Sequence, residues 1–351
     1  MQLGIQNMKW TVVSVAALAA AVWVTTMPAA TRKGVQTISS RSRAFEFTYV
    51  VHVPALPPDS HEMRIWLPLP QTGAHQEISA VSISSPLAHR IYTDQTYGNR
   101  AAYFSFDAAK TRTPFAITLK FRARRDEYRV ALPSNDPSSS NQFSPNVARY
   151  LEPDRLVPIN GVIADLSREQ TRGISDPLER ARNIYDYVIR TMHYDHAGTS
   201  WGHGDAIFAC TAHHGNCTDF HSLFIGMARA AGIPARFEIG FPIPIGQRQG
   251  EISGYHCWAE FYIQGIGWVP IDASEAWQTP SKHDYFFGGL DPNRVRFSGG
   301  RDLVLSPRQS GSPINYFVYP YAELDGRPFA NLGHEFSFHD VSVERRHAAV
   351  E

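Results

Sequence analysis

Between residues 44 and 53 the chain alternates, and Phe45, Phe47, Tyr49, Val51 and Val53 fall on one face. A period of two is the signature of a half-buried strand. Met63, Ile65, Leu67 and Leu69 repeat it, as do Phe115, Ile117, Leu119 and Phe121. Pro57-Pro58 and Tyr97-Gly98-Asn99 supply turn chemistry between these runs. The pattern predicts an antiparallel β-domain over residues 40–130, with Lys120, Arg122 and Arg124 on its solvated face. A polar, proline-punctuated linker follows at residues 131–146.

Beyond the linker the period changes. Asp176-Pro177-Leu178-Glu179 reads as a helix start, with a capping side chain, proline in the first turn and an acid three residues on. Leu178, Ala181, Ile184, Tyr185, Val188 and Ile189 then recur at helical spacing. A second helix starts at or just after Cys217. Phe220, Leu223, Phe224, Met227, Ala228 and Ala231 give it an apolar face broad enough to be buried on most sides, and Gly232 and Pro234 end it. A strand over 235–241 and a hairpin of 255–263 with 268–272 come next. The remainder predicts a strand at 316–319 and a polar tail. The fold class is therefore α+β, with an N-terminal antiparallel β-domain, a second domain over residues 147–275 and a C-terminal extension at 276–351.

Composition narrows the function. Of 351 residues, 43% are hydrophobic and 19% charged, which suits packed cores and excludes a disordered chain. Lys+Arg and Asp+Glu both number 33, so the basic excess of a nucleic-acid binder is missing. Three cysteines cannot form a disulfide framework. Lys9, the apolar run 10–24 and the small residues after it predict that residues 1–30 are a signal peptide or an uncleaved membrane anchor. The chain is then exported, to the periplasm or the outer face of the membrane.

In Gly215-Asn216-Cys217-Thr218-Asp219 a tight turn delivers a thiol to a helix N-terminus, where free N–H groups and the helix dipole favour thiolate. A thiol nucleophile needs a base and the base an orienter. His256 in the first hairpin strand and Asp272 at the end of the second supply both, on one condition. A loop of an even number of residues would pair 259 with 272 and turn His256 to the opposite face. A three-residue loop, or a bulge, puts 258 opposite 272 and makes His256 its diagonal neighbour.

Gly-Asn-Cys-Thr-Asp-Phe-His, Gly-Tyr-His-Cys-Trp-Ala-Glu-Phe-Tyr and Gly-Trp-Val-Pro-Ile-Asp together resemble the transglutaminase-like superfamily across about 150–275. The β-domain and Tyr-Phe-Phe-Gly-Gly-Leu-Asp-Pro-Asn-Arg resemble its bacterial exported branch more loosely. The resemblance implies a papain-like core with Cys217 as nucleophile, His256 as base and Asp272 as orienter. It also implies acyl transfer through a thioester at glutamine or peptide carbonyls, on a protein or peptide substrate and without cofactor or metal. It does not separate hydrolysis from cross-linking; the absence of a hydrophobic amine tunnel favours a peptidase- or amidase-like reaction.

Rival readings remain at this level. Cys210, His213, His214 and Cys217 have zinc-like spacing. His221 is a second base, Trp201 a donor to an oxyanion, and Asp219 a helix-start residue. Trp258 and Glu260 share the His256 face, Cys257 lies on the other, and Pro242, Pro244, Gly246, Gly250 and Gly254 read as a flexible flap. A third class is a binding protein that keeps the fold without the chemistry.

Overall fold

The computed structural model describes residues 41–133 and 143–342. The expected signal or anchor segment and most of the linker lie outside them. The alternating runs form strands Ser42–Val53, Glu62–Leu69 and Phe115–Asp126. Ser42–Val53 lies between Phe115–Asp126 and Gly333–Asp340 in a five-stranded sheet whose edges are Gln76–Ser84 and Gln249–Glu251. Glu62–Leu69 lies in a second five-stranded sheet, between Arg100–Asp107 and Tyr321–Leu324. Phe45, Phe47, Tyr49 and Val51 are wholly buried, and Phe47 stacks on Phe121 at 5.2 Å.

The boundaries expected at 130 and 275 do not divide these sheets, because the chain after 276 contributes a strand to each. The expected strand at 316–319 is irregular and the strand lies at Tyr321–Leu324. Phe317 and Val318 are both buried instead of alternating. Their carbonyls are taken by side chains, Ser298 Oγ donating to Phe317 O and Tyr49 Oη to Val318 O, so no ladder forms there. The tail expected to be polar holds Gly333–Asp340, where Phe336 and Phe338 are buried at a period of two.

The helices form as the pattern predicts. Pro177–Thr191 is capped by Asp176, whose side chain accepts from Leu178 N, and Cys217–Ala230 is buried at every position from Cys217 to Arg229. Burying a Leu or Phe side chain stabilises a fold by about 1.5–3 kcal/mol, and this helix buries Phe220, Leu223 and Phe224 completely. It packs on a four-stranded antiparallel sheet ordered Gly267–Ile271, His256–Ile263, Ala235–Pro242, Arg294–Gly299. Two further helices, Gly161–Gln170 and Ala206–Ala212, also contact it. A helix packed on an antiparallel sheet confirms the α+β class. No helix among the described residues is long and apolar enough to cross a membrane.

Candidate active site

Cys217 is the first residue of its helix. Asn216 caps it, its side chain accepting from Thr218 N, and Asp219 returns the bond by accepting from Asn216 N at 3.0 Å. Asp219 also accepts from Gly202 N at 2.7 Å and Gly204 N at 2.9 Å, so it ties the 202–204 loop to the helix start. A Cβ on Gly215 would come within 2.3 Å of that carboxylate, so the turn into Cys217 requires glycine.

The hairpin meets the parity condition. Ile263 pairs with Gly267 and Ala259 with Ile271, which leaves a three-residue loop and sets Asp272 across from Trp258. His256 Nε2 then lies 2.7 Å from Asp272 Oδ2. With Nε2 engaged, Nδ1 is the ring nitrogen left for Cys217, to which the ring is hydrogen-bonded. The structure thus brings Cys217, His256 and Asp272 into one buried chain of contacts.

Electrostatics follow from these neighbours. Burial alone would raise the Cys217 thiol, but hydrogen bonds from Cys257 and His256 and the imidazolium charge bring it down to about 6. Burial would depress His256, and the Asp272 charge and hydrogen bond, with Cys217, lift it well above the usual histidine value. Asp272 is pushed up by burial and drawn far below the carboxylate range by His256, Arg294 and His221. A thiolate facing an imidazolium is the resulting ground state.

His221 is excluded as the base. Its Nε2 accepts from Ala273 N at 3.1 Å and its Nδ1 lies 3.4 Å from Cys257 Sγ. Burial lowers it to about 4, so it is a neutral ring occupied on both nitrogens. Cys257 does point away from the His256 face, yet that face meets the helix, and its thiol hydrogen-bonds the Cys217 sulfur. The expectation that Cys257 stands apart from the site is therefore corrected. Trp201 donates Nε1 to Gly198 O at 3.0 Å. An upstream aromatic nearer the helix start is Tyr194, paired with Gly215 two residues before Cys217. Burial first, then the Cys217 charge, raises its phenol and keeps it protonated.

The zinc reading does not assemble: Cys210 Sγ bonds Ile207 O at 3.2 Å, and no three His, Cys, Asp or Glu side chains cluster in a metal-binding arrangement among the described residues. Nor is the 242–254 loop a free flap. Gln249–Glu251 is paired with Gly333–Asp340, and the Arg43 guanidinium donates to the carbonyls of Ile243, Pro244 and Gln247. Glu260 is bound to Arg236 at 2.6 Å.

Sequence reasoning missed Arg294. It donates to Asp272 Oδ2 at 2.8 Å, lies 3.5 Å from Asp291 and stands over the Trp258 ring at 5.1 Å. Its strand is brought close by Gly240, paired with His256, where a Cβ would fall 1.8 Å from Val295 O. Its signals in the sequence were that it closes the turn Asp291-Pro292-Asn293 and ends the segment Tyr-Phe-Phe-Gly-Gly-Leu-Asp-Pro-Asn-Arg, neither of which names its partner.

Residues 164–273 match the transglutaminase-like superfamily. An uncharacterised protein of Haemophilus influenzae is 28% identical, the match covering 85% of this chain and 90% of the relative. A crystal structure described as a candidate cysteine protease, from Cytophaga hutchinsonii, superposes with a TM-score of 0.60 at 16% identity, over 88% of this chain and 94% of its own. The periplasmic domain of TgpA from Pseudomonas aeruginosa matches at TM-score 0.35 and 18% identity, over 67% and 89%. Residues 164–273 are thus a transglutaminase-like superfamily domain, carried within a larger α+β fold.

Proposed function

We propose that this protein is a cysteine-dependent acyl-transfer enzyme acting on the amide carbonyl of a glutamine side chain or a peptide. One observation carries the reading: a thiol at a helix N-terminus is hydrogen-bonded to a histidine whose other nitrogen lies 2.7 Å from a buried carboxylate. The Cys217 thiolate attacks the carbonyl carbon. The oxyanion that forms is met by the N–H groups of the helix start, and Tyr194 is the side-chain donor we assign to it. His256 passes its proton to the departing amine or ammonia as the C–N bond breaks, leaving a thioester. His256, now neutral, takes a proton from water, which adds to the thioester and releases the acid and the thiolate. Asp272 holds the ring orientation throughout.

We assign water as the acceptor, and the product as an amidase or peptidase product. The exported location read from residues 1–30 is part of the same proposal. The test is mass spectrometry of glutamine-containing peptides incubated with enzyme and excess primary amine. Deamidation or backbone cleavage supports hydrolysis. Incorporation of amine with loss of ammonia, dominating over both, would replace it with a transglutaminase. No product in either form, with no labelling of Cys217 by iodoacetamide, would leave a binding protein.

A further inference from the structure

Among the described residues four arginines are buried: Arg125, Arg229, Arg294 and Arg301. Three have side-chain hydrogen bonds within the protein, although Arg294 Nε is also without a partner and Arg301 is held by neutral acceptors alone. Arg229 reaches Asp154 at 2.7 Å and two carbonyls, and Arg301 reaches Ser222, Asn315 and the Gly204 carbonyl. Arg294 holds Asp272 and Asp291. Arg125, with 4% of its surface exposed, has no ion pair among the described residues, and its Nε has no hydrogen-bond partner.

Register explains how it got there. Ile117, Leu119, Phe121 and Ala123 point into the core from one strand, and Arg125 is the next residue on that face. It lines a cavity of about 470 Å³ between that strand and the outer face of the catalytic sheet. The cavity's other charges cancel. Arg236 is paired with Glu260 at 2.6 Å and Glu238 at 3.3 Å, and Arg296 with Glu238. His75, stacked on Tyr128, is held neutral near pH 7, burial and the Arg125 charge lowering it to about 4. One positive charge is left over. Burial, then the repulsion of Arg294 and, less, of Arg296, outweigh the attraction of Glu260 and Glu238 and press Arg125 down to about 10, where it is still protonated at neutral pH.

A buried guanidinium without a bonded counter-charge is unfavourable, so an anion that supplied one would be bound. The walls indicate what completes it. Tyr128, Trp258 and Trp268 give the cavity aromatic surface, and its volume exceeds that of a bare inorganic ion. Glu238 and Glu260 would repel a dianion, whereas a planar monoanion balances the single excess charge and fits the edge of a guanidinium.

We propose that this cavity binds an organic monocarboxylate, its carboxyl group on Arg125 and its apolar part against Tyr128, Trp258 and Trp268. A free aromatic acid and the C-terminal carboxylate of a peptide share that chemistry. The site stands apart from Cys217 and holds whether or not the acyl-transfer reading does.

Calorimetry on the full chain tests it with phenylacetate, with acetyl-Gly-Phe as the free acid and as the amide, and with inorganic phosphate. We expect one or both acids to bind and the amide to bind at least tenfold more weakly. Phenylacetate alone identifies a free small acid, and the peptide acid alone identifies a chain terminus. Arg125→Met should lose at least tenfold in affinity for the acid that binds, and its melting temperature without ligand should rise. Acid and amide binding alike, phosphate binding in preference to both acids, or no binding of either acid would overturn the proposal. So would a folded Arg125→Met that binds unchanged or melts lower. Acid against amide on the unsubstituted chain decides the matter even if Arg125→Met does not fold.

Discussion

Two buried arginines face the Trp258 ring, Arg294 at 5.1 Å and Arg125 at 6.0 Å, and their surroundings differ. Arg294 has two carboxylates and stands behind a chain of contacts running through Asp272 and His256 to Cys217. Arg125 has no carboxylate within ion-pairing distance among the described residues. The first has its charge balanced by carboxylates of the protein. The second is incomplete as built and is completed from outside. Within one fold, then, burial of a charge does not by itself mark a structural ion pair or a site; what decides is whether the protein supplies a counter-charge, as for Arg294, or a set of acceptors, as for Arg301.

The comparison is broken most severely at the nucleophile. Cys217→Ala should abolish turnover and covalent labelling, a loss of at least about 10³-fold, while the circular dichroism spectrum is unchanged and Cys210→Ser stays active. Asp272→Asn should lower kcat by about 10²–10⁴-fold, since the amide can misdirect the imidazole tautomer; steady-state kinetics on the folded variant check it. Arg294→Met should destabilise the fold by about 3–5 kcal/mol in urea unfolding, because it leaves Asp272 short of a buried partner. Arg294→Lys should recover part of that and part of kcat. Arg125→Met is expected to shift stability in the opposite direction, and a matching loss at both positions would erase the distinction between them.

A further measurement concerns pH. Because the His256 and Cys257 hydrogen bonds outweigh burial at Cys217, its alkylation by iodoacetamide should rise with pH through a midpoint near 6, not near the ordinary thiol value of 9.0. The thiolate is lost below that midpoint, so activity should fall on the acid side there. It should persist upward until His256, raised by Asp272, loses its proton. The smallest effect belongs to Cys257→Ala, which removes one thiol donor to the Cys217 sulfur. The alkylation midpoint should move up by about one unit or less, on the scale of one neutral hydrogen bond.

The three residues of the centre were legible because each sat in a local pattern: a turn before a helix, an alternating strand, and a strand end across a hairpin. Even the condition on the loop could be written from parity before the register was known. What could not be read depended on long-range pairing. Nothing in Arg294's own neighbourhood says that Gly240 lets its strand approach His256. The strand at 316–319 was mistaken because four aromatic and apolar residues in a row do not reveal which carbonyls are taken by Ser298 and Tyr49. Cys257 was placed on the correct face, but the meaning of that face was set by the helix packed against it. Arg125 shares parity with Phe121 and Ala123, so its burial was available in the strand pattern; reading Lys120, Arg122 and Arg124 as the solvated face drew attention away from it.

The pairing of Ser42–Val53 with Gly333–Asp340 has a consequence for when the molecule becomes itself. The first strand pairs early with Phe115–Asp126 but meets this second neighbour only once residue 333 has been made, and contacts so distant in sequence slow folding because a very long loop must close first. That last strand also holds Gln249–Glu251, and Ile252 N donates to Phe336 O at 3.0 Å, a few residues ahead of His256. The loop leading to His256 is thus fastened by Gly333–Asp340. A nascent chain that stops short of residue 333 can form the Cys217 helix and still lack the fastening that settles the loop before His256. Clipping the chain before residue 333 should return it to that unfinished condition.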